Sequence, residues 1–81
     1  MCKVYILHSG NRDKFYVGYT CMEIRDRLRR HNGLHSGYTG REKDWVLVYE
    51  ESFSTKDEAI RREREIKSWK SRKRIIELIG K

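Results

Sequence analysis

The alternation of apolar and polar positions predicts two short strands near the start of the chain. Residues 3–7, "KVYIL", and residues 15–19, "FYVGY", are rich in β-branched and aromatic side chains. The turn-rich residues 8–14 between them indicate a β-hairpin. With Leu7 opposite Lys14, Tyr5 lies opposite Tyr16 on one face of the hairpin. The remaining apolar side chains then point to the other face: Val4, Ile6, Phe15 and Val17.

A change to helical periodicity follows the hairpin. Thr20 and Glu23 have the spacing of a capping box, which predicts the start of a helix. Ile24 and Leu28 supply its buried side, and Gly33 should end it. A Gly-rich loop over residues 33–44 leads to a third predicted strand at residues 45–51, "WVLVYEE".

The last part of the chain predicts two further helices. Thr55 and Glu58 form a second capping box, for a helix that runs to about Trp69. Ser71 caps a short final helix, and Gly80 lies beyond its end. The order β-β-α-β-α-α predicts an α+β fold, a small three-stranded antiparallel sheet flanked by helices.

Size and composition narrow the class of protein. The chain has 81 residues, of which 37% are hydrophobic and 38% charged, which predicts one globular domain over residues 1–81. It shows no signal peptide and no apolar run of about 20 residues, so we expect a cytoplasmic protein. Cys2 and Cys21 form no C-x-x-C pair, and we expect no disulfide. Zinc binding by both cysteines with His31 and His35 is a weak alternative, because Asn32-Gly33 separates the histidines.

The net charge of +7 is concentrated in two segments. Residues 61–74 hold eight Lys or Arg against two Glu, and a second group lies in "EIRDRLRRHN" at residues 23–32. Such clusters attract phosphate backbones, which favours nucleic acid over a membrane surface as the partner. The alternative is a solvated helix face. The residues expected to bind nucleic acid are Arg25, Arg30, Lys67, Lys70, Arg72, Lys73 and Arg74.

Glu63 is unusual because it lies on the apolar side of an otherwise basic helix, near Ala59, Ile60 and Ile66. A carboxylate there needs a partner. Either Lys67, four residues on, pairs with it, or it binds one hard cation such as Mg²⁺. Glu63 is therefore a candidate metal ligand.

Three other residue types could complete a phosphodiester-cleaving site. Arg27 and His31 are four residues apart on the first helix, so they share a face, where Arg27 suits a phosphate and His31 can exchange a proton. Tyr5 and Tyr16 supply phenols, which are poor bases without a nearby cation. Hydrolysis needs a base, positive charge on the developing oxyanion and a metal. The alternative is that these are ordinary core and surface residues.

The ordered set of motifs resembles the GIY-YIG endonuclease superfamily. "VYI" at residues 4–6 and "YVG" at residues 16–18 are similar to its two signature triplets, and an R-x-x-x-H helix and a Glu-bearing helix follow. The resemblance covers nearly the whole chain and is closest to small single-domain bacterial members related to excision-repair incision domains. Val4 departs from the first glycine of the leading triplet. Tyr19 stands where some members have a lysine, and the asparagine that some members carry beyond the glutamate helix is missing.

The resemblance implies roles for six residues. Tyr5 and Tyr16 would line the site, with one of them positioning or deprotonating water, aided by His31. Arg27 would stabilise the phosphate, Glu63 would hold a single Mg²⁺ or Mn²⁺, and Gly18 would let the backbone pack closely beside the helix. We therefore expect a metal-dependent DNA endonuclease, structure-selective or non-specific, in repair or recombination. It would be a monomer or weak dimer, with a protein partner that supplies recognition. The alternative is a non-catalytic nucleic-acid-binding module.

Overall fold

The sheet has three antiparallel strands with the first strand of the chain in its centre. The computed structural model describes residues 1–10, 13–26 and 45–80. Within them, β1 (Cys2–Ser9) lies between β2 (Lys14–Thr20) and β3 (Trp45–Phe53). Both pairings of β1 are antiparallel. The predicted α+β fold and its three-stranded antiparallel sheet are confirmed, with strands one to two residues longer at most ends than the sequence pattern indicated.

The register of the hairpin differs from the predicted one by two residues. Leu7 lies opposite Tyr16, and Tyr5 lies opposite Gly18, because the pairing continues to Ser9 and Lys14 at the turn. A shift of two residues leaves every side chain on its predicted face, since side chains alternate with a period of two. The predicted pairing of Tyr5 with Tyr16 is thus wrong, but their common face is right.

The corrected register also explains a covalent link that the sequence pattern did not predict. Cys2 and Cys21 form a disulfide. Lys3 pairs with Thr20, so the same antiparallel alignment places Cys2 opposite Cys21 at the open end of the hairpin. The expectation of no disulfide rested on the lack of a C-x-x-C pair and is wrong, because strand pairing brings together two cysteines that are 19 residues apart.

Each face of the sheet has its own apolar cluster. On one face, Val4, Ile6 and Val17 are buried against the helices that follow β3, with Ile66 and Leu78 completing the cluster. The other face carries a second cluster, in which Tyr5, Leu7 and Trp45 are buried and Tyr16 and Ile24 are partly buried. The predicted division of the hairpin, with Phe15 and Val17 towards the core and Tyr16 on the opposite face, is confirmed.

Three helical segments accompany the sheet in the order β-β-α-β-α-α. Residues 24–26 form the described part of α1, and α2 (Lys56–Ser68) and α3 (Arg72–Ile79) follow β3. Thr55 caps α2, with its hydroxyl oxygen 3.2 Å from the backbone nitrogen of Glu58, as predicted. Ser71 caps α3, and Gly80 ends it. None of the helices within the described ranges is long and apolar enough to cross a membrane.

The start of α1 differs from the prediction. The Thr20 hydroxyl accepts a hydrogen bond from the backbone nitrogen of Met22 at 3.0 Å, which makes a tight turn directly after β2. The helical residues begin three positions later than a cap at Thr20 would give, with Asp26 bonded to the Glu23 carbonyl. The chain therefore turns at Cys21 and Met22 before the helix starts.

A group of polar side chains joins α2 to β3. Arg62 donates two hydrogen bonds to the Glu51 carboxylate, at 3.0 and 3.1 Å, and a third to Glu65 at 2.9 Å. The Tyr49 hydroxyl donates to the same Glu51 carboxylate. Burial alone would raise the pKa of Glu51, but the hydrogen bonds from Arg62 and Tyr49 outweigh it and lower that pKa. Burial and the bond to Glu51 raise the pKa of Tyr49.

Candidate active site

A cavity of about 380 Å³ lies at the outer edge of β2, between that strand and α2. Tyr16, Gly18 and Thr20 line it from the strand, and Lys56 and Glu63 line it from the helix. Tyr19 on the strand, and Cys21 and Met22 in the turn before α1, complete its wall. The cavity thus brings together one signature tyrosine and the inward carboxylate.

Glu63 reaches this cavity because of its position on α2. Ala59 and Ile66, on the same side of the helix, are fully buried against the sheet. The Glu63 side chain is only 15% exposed, and its carboxylate lies 3.3 Å from the Lys67 ammonium. The ion pair that the sequence offered as one alternative is therefore present, and the carboxylate still faces an open cavity where a cation could approach it.

The two signature tyrosines are neighbours with different access to solvent. Their ring centroids are 6.4 Å apart. Tyr5 is 1% exposed, whereas Tyr16 is half-buried and lines the cavity. Tyr16 is thus the tyrosine placed to meet a molecule in the cavity, while Tyr5 lies behind it.

Gly18 makes room for these rings. A Cβ atom on Gly18 would lie 2.7 Å from the Tyr5 hydroxyl oxygen and 3.0 Å from the Tyr16 ring. The close approach is therefore between the strand and two phenols, and not between the strand and a helix as the family resemblance implied. Only glycine leaves space for both rings at this position.

Two of the five proposed catalytic residues, Arg27 and His31, lie outside the described residues, as does Arg30. Their roles stay predictions. Arg25 lies in α1 and is exposed to solvent. Tyr5, Tyr16 and Glu63 are the three candidates whose positions are described.

The basic residues predicted to bind nucleic acid between positions 67 and 74 lie in α2, in α3 and in the turn between these helices. Lys67 and Lys70 lie beside Tyr16, and the Lys67 ammonium is 6.0 Å from the centre of the Tyr16 ring. Arg74 lies over the Trp69 ring at 4.5 Å, and Lys73 is exposed. These four stay candidates for nucleic-acid binding on a surface that includes α2 and α3.

Arg72 has a structural partner that the sequence did not indicate. It donates hydrogen bonds to the Asp13 carbonyl at 2.6 Å and to the Asp13 carboxylate at 2.7 Å. The Arg72 bond, and then the neighbouring His8 at 3.0 Å, lower the pKa of Asp13. Arg72 therefore fastens α3 to the turn of the hairpin, in addition to any contact with nucleic acid.

Lys56 is a residue of the cavity that sequence reasoning missed. It is the first residue of α2 and lines the cavity together with Glu63. The two are seven residues apart, which is two helical turns and hence one face. That spacing was the available signal, but a charged residue at an exposed helix start gives no indication of function.

Comparison with known proteins agrees with the geometry. Residues 1–75 match the family profile described as the GIY-YIG catalytic domain. A UPF0213 protein of Staphylococcus haemolyticus is 41% identical over 81 residues, which cover 98% of this chain and 96% of the relative. A UPF0213 protein of Staphylococcus saprophyticus is 41% identical over 82 residues, covering 99% and 98%. One of Staphylococcus aureus is 36% identical over 73 residues, covering 89% and 87%.

No solved structure gives a significant match to the chain. The family profile covers both signature triplets, the glutamate and all three strands. GIY-YIG domains are those of endonucleases, so the match supports a nuclease type of enzyme and implies DNA as the substrate class. The chain belongs to the GIY-YIG endonuclease family and is similar along nearly its whole length to small bacterial UPF0213 proteins.

Proposed function

We propose that this chain is a metal-dependent endonuclease that hydrolyses DNA phosphodiester bonds. Its cutting would be structure-selective or non-specific. The observation that carries the proposal is the shared cavity, in which Tyr16 and the Glu63 carboxylate face the same space. A pure binding surface for DNA would have no use for a carboxylate held at 15% exposure beside lysines.

The residues present fit one hard cation. Within the described ranges, no group of three or more His, Cys, Asp or Glu is arranged to enclose a metal ion. Mg²⁺ is commonly held by one or two carboxylates, with water and substrate phosphate completing its coordination. Glu63, facing an open cavity, suits that mode, and Mn²⁺ has the same preference for oxygen. A bound cation would supply charge to the developing phosphate oxyanion.

The other roles belong to side chains of this chain. Tyr16 would position the attacking water through its hydroxyl, and His31 would receive the proton. Arg27 would place its planar guanidinium on the phosphate and stabilise the charge that develops there. Tyr5 would act as a positioning residue, since it is buried behind Tyr16.

The proposal extends to the working form of the protein. We propose that residues 1–81 act as one domain in the cytoplasm, as a monomer or weak dimer, in DNA repair or recombination. A protein partner would supply the recognition for which a chain of 81 residues has little surface.

A cleavage assay with Glu63→Ala tests the proposal. Labelled duplex, flapped, branched and single-stranded DNA are incubated with Mg²⁺, Mn²⁺ or EDTA. The unmodified chain is expected to cut only with metal, and Glu63→Ala is expected to lose about 10²-fold or more in rate, as after loss of a preorganised charge contact. Its DNA affinity should change little.

Glu65→Ala is the matched control, because Glu65 lies on the same helix but pairs with Arg62 and is 56% exposed. It should cut normally. DNA binding without cleavage on every substrate would replace the nuclease proposal by a binding module. Full activity of Glu63→Ala would remove Glu63 from the site.

A further inference from the structure

A second hollow lies on the far side of Tyr16 from the Glu63 cavity. It has a volume of about 320 Å³, and Tyr16 lines both spaces. Its floor is apolar, made by Phe15 on β2, Ile66 on α2 and Ile75 on α3. Two exposed lysines, Lys67 and Lys70, stand at its rim. We call this space the Lys70 hollow.

The charge of the Lys70 hollow suits an anion that also carries an apolar surface. None of the described residues that line it is acidic. Lys67 is 51% exposed and forms an ion pair with Glu63. Lys70 has no ion-pair partner among the described residues. The Tyr16 ring lies 6.0 Å from the Lys67 ammonium, whereas the Phe15 ring already has Arg72 at 5.2 Å and His8 at 4.8 Å against it. A nucleobase with its phosphate has this combination of properties.

The backbone at Lys70 gives an independent observation. Lys70 follows the C-cap residue Trp69 and adopts φ 48°, in the left-handed region that favours glycine. A lysine there is strained where a glycine would not be, and strained positions of this kind cluster at ligand contacts. The conformation ends α2 with the Lys70 side chain at the hollow.

The hollow lies one step along α2 from the candidate reaction centre. Glu63 and Lys67 are four residues apart, about 6 Å along the helix axis, which is comparable with the spacing between phosphates of an extended strand. DNA whose scissile phosphate lies at Glu63 would then bring its next nucleotide to the Lys70 hollow. In a duplex the base faces are stacked and paired, so only an unpaired base can lie flat against this floor.

We propose that the Lys70 hollow receives one unpaired nucleotide of the DNA next to the bond that is cut, with its base against Tyr16 and Ile75 and its phosphate near Lys67 and Lys70. The inference rests on the proposed nuclease function and makes it specific: the preferred substrate has an unpaired nucleotide beside the scissile phosphate. It is a substrate subsite, distinct from the Glu63 cavity.

Binding in EDTA tests the subsite without cleavage. A labelled duplex with one unpaired nucleotide is compared with the fully paired duplex by fluorescence anisotropy. The unmodified chain is expected to bind the unpaired form about tenfold more tightly, because an unpaired nucleotide adds a base contact and brings its phosphate to Lys70. Lys70→Gln should bring the two affinities within about twofold of each other.

Lys73→Gln is the matched control, because it removes one charge from α3 outside the hollow. It should weaken both complexes equally and leave their ratio unchanged. Equal ratios for Lys70→Gln and Lys73→Gln would overturn the proposal. Lys70→Gly serves as a folding control, since it should raise the melting temperature while losing the same preference.

Photo-crosslinking locates the base. With 5-iodouracil at the unpaired position, irradiation should attach the DNA to Tyr16, as identified by mass spectrometry. Attachment to Trp69 instead would place the base on the Arg74 side of α3 and overturn the assignment. If the chain prefers unpaired DNA but shows no metal-dependent cleavage, the subsite proposal stands and the nuclease proposal is wrong. Cleavage without the preference would reject the subsite alone.

Discussion

Gly18 controls the position of both signature tyrosines. Its missing side chain leaves the space that the Tyr5 hydroxyl and the Tyr16 ring occupy. Tyr5 is fully buried and has no room to swing away, so an added methyl group would have to move the strand or the ring. One small residue therefore determines where both phenols lie and how Tyr16 is presented to the cavity.

We predict that Gly18→Ala lowers the free energy of unfolding by about 1–3 kcal/mol, as in other overpacked sites. Urea denaturation measures the change. Gly80→Ala is the control, because its Cβ would meet only backbone oxygens at 3.5 and 3.8 Å, at a φ of −78° that alanine readily adopts. Equal stability of Gly18→Ala and the unmodified chain would show that the tyrosines have freedom to move.

The polar group formed by Arg62, Glu51 and Tyr49 fixes the contact between α2 and β3. Arg62 is the only one of the three on the helix, so its bidentate bond to Glu51 links the two elements directly. Because Glu63 follows Arg62 in the chain, the same bond helps to set the rotation of α2. The strand on the far edge of the sheet thus contributes to the position of the Glu63 carboxylate.

We predict that Glu51→Gln lowers the free energy of unfolding by about 1.5–3 kcal/mol at neutral pH, the range for hydrogen bonds to a charged group. The pKa of Glu51 is lower in the folded chain than its ordinary value of 4.5. Its contribution is therefore complete above pH 4.5 and disappears as the pH falls through the lowered folded value. In urea titrations, the difference in stability between the two proteins should shrink as the pH falls from 4.5 towards 3.

Glu50→Gln is the comparison within the same strand. Glu50 pairs with Lys3 on the other side of the sheet, with side chains 40% and 33% exposed. Such a pair contributes less than about 1 kcal/mol. A pH-independent difference for Glu51→Gln, or an equally large effect of Glu50→Gln, would contradict this account.

Local patterns in the sequence predicted where the strands and helices lie better than they predicted the register between strands. Thr55 and Glu58 specify the start of α2 through a hydrogen bond between residues that are close in sequence. The sequence alone therefore predicts this helix start. The hairpin register depends on how far pairing continues into the turn, where Ser9 and Lys14 give no periodic signal. That missing information also hid the disulfide, since Cys2 and Cys21 face each other only in the observed register.

The disulfide acts on the molecule as a whole because it closes a ring containing β1, the turn and β2. Cys2 and Cys21 are 19 residues apart in sequence. A cross-link of this length constrains the unfolded chain and stabilises the fold by about 3 kcal/mol. In a reducing cytoplasm the bond would be open. The stability of the dithiol form then governs how much of the protein is folded.

We predict that dithiothreitol lowers the melting temperature of the unmodified chain by more than about 10 °C, given about 4–8 °C per kcal/mol in a domain of this size. The double variant Cys2→Ser, Cys21→Ser should melt near the reduced protein, with or without reductant. An unmodified chain that melts at the same temperature in both conditions would show that the cross-link does not stabilise the fold.

The candidate site was predictable in its residue types and only partly in its geometry. Tyr16 and Glu63 follow from an alternating strand and a helical face, and the structure brings both to one cavity. The different exposure of Tyr5 and Tyr16 depends on strand pairing and on packing from distant elements, which no local pattern reports. The Lys70 hollow was not predictable, because three separate elements form its floor.

The position of β1 at the centre of the sheet has a consequence for the order of assembly during translation. β1 and β2 can pair as soon as Thr20 has left the ribosome. The other edge of β1 must wait for Trp45–Phe53, and Cys2 pairs with Phe53, the last residue of β3. The earliest strand to be made is thus the last to be fully paired, and its open edge is available to neighbouring nascent chains in the interval.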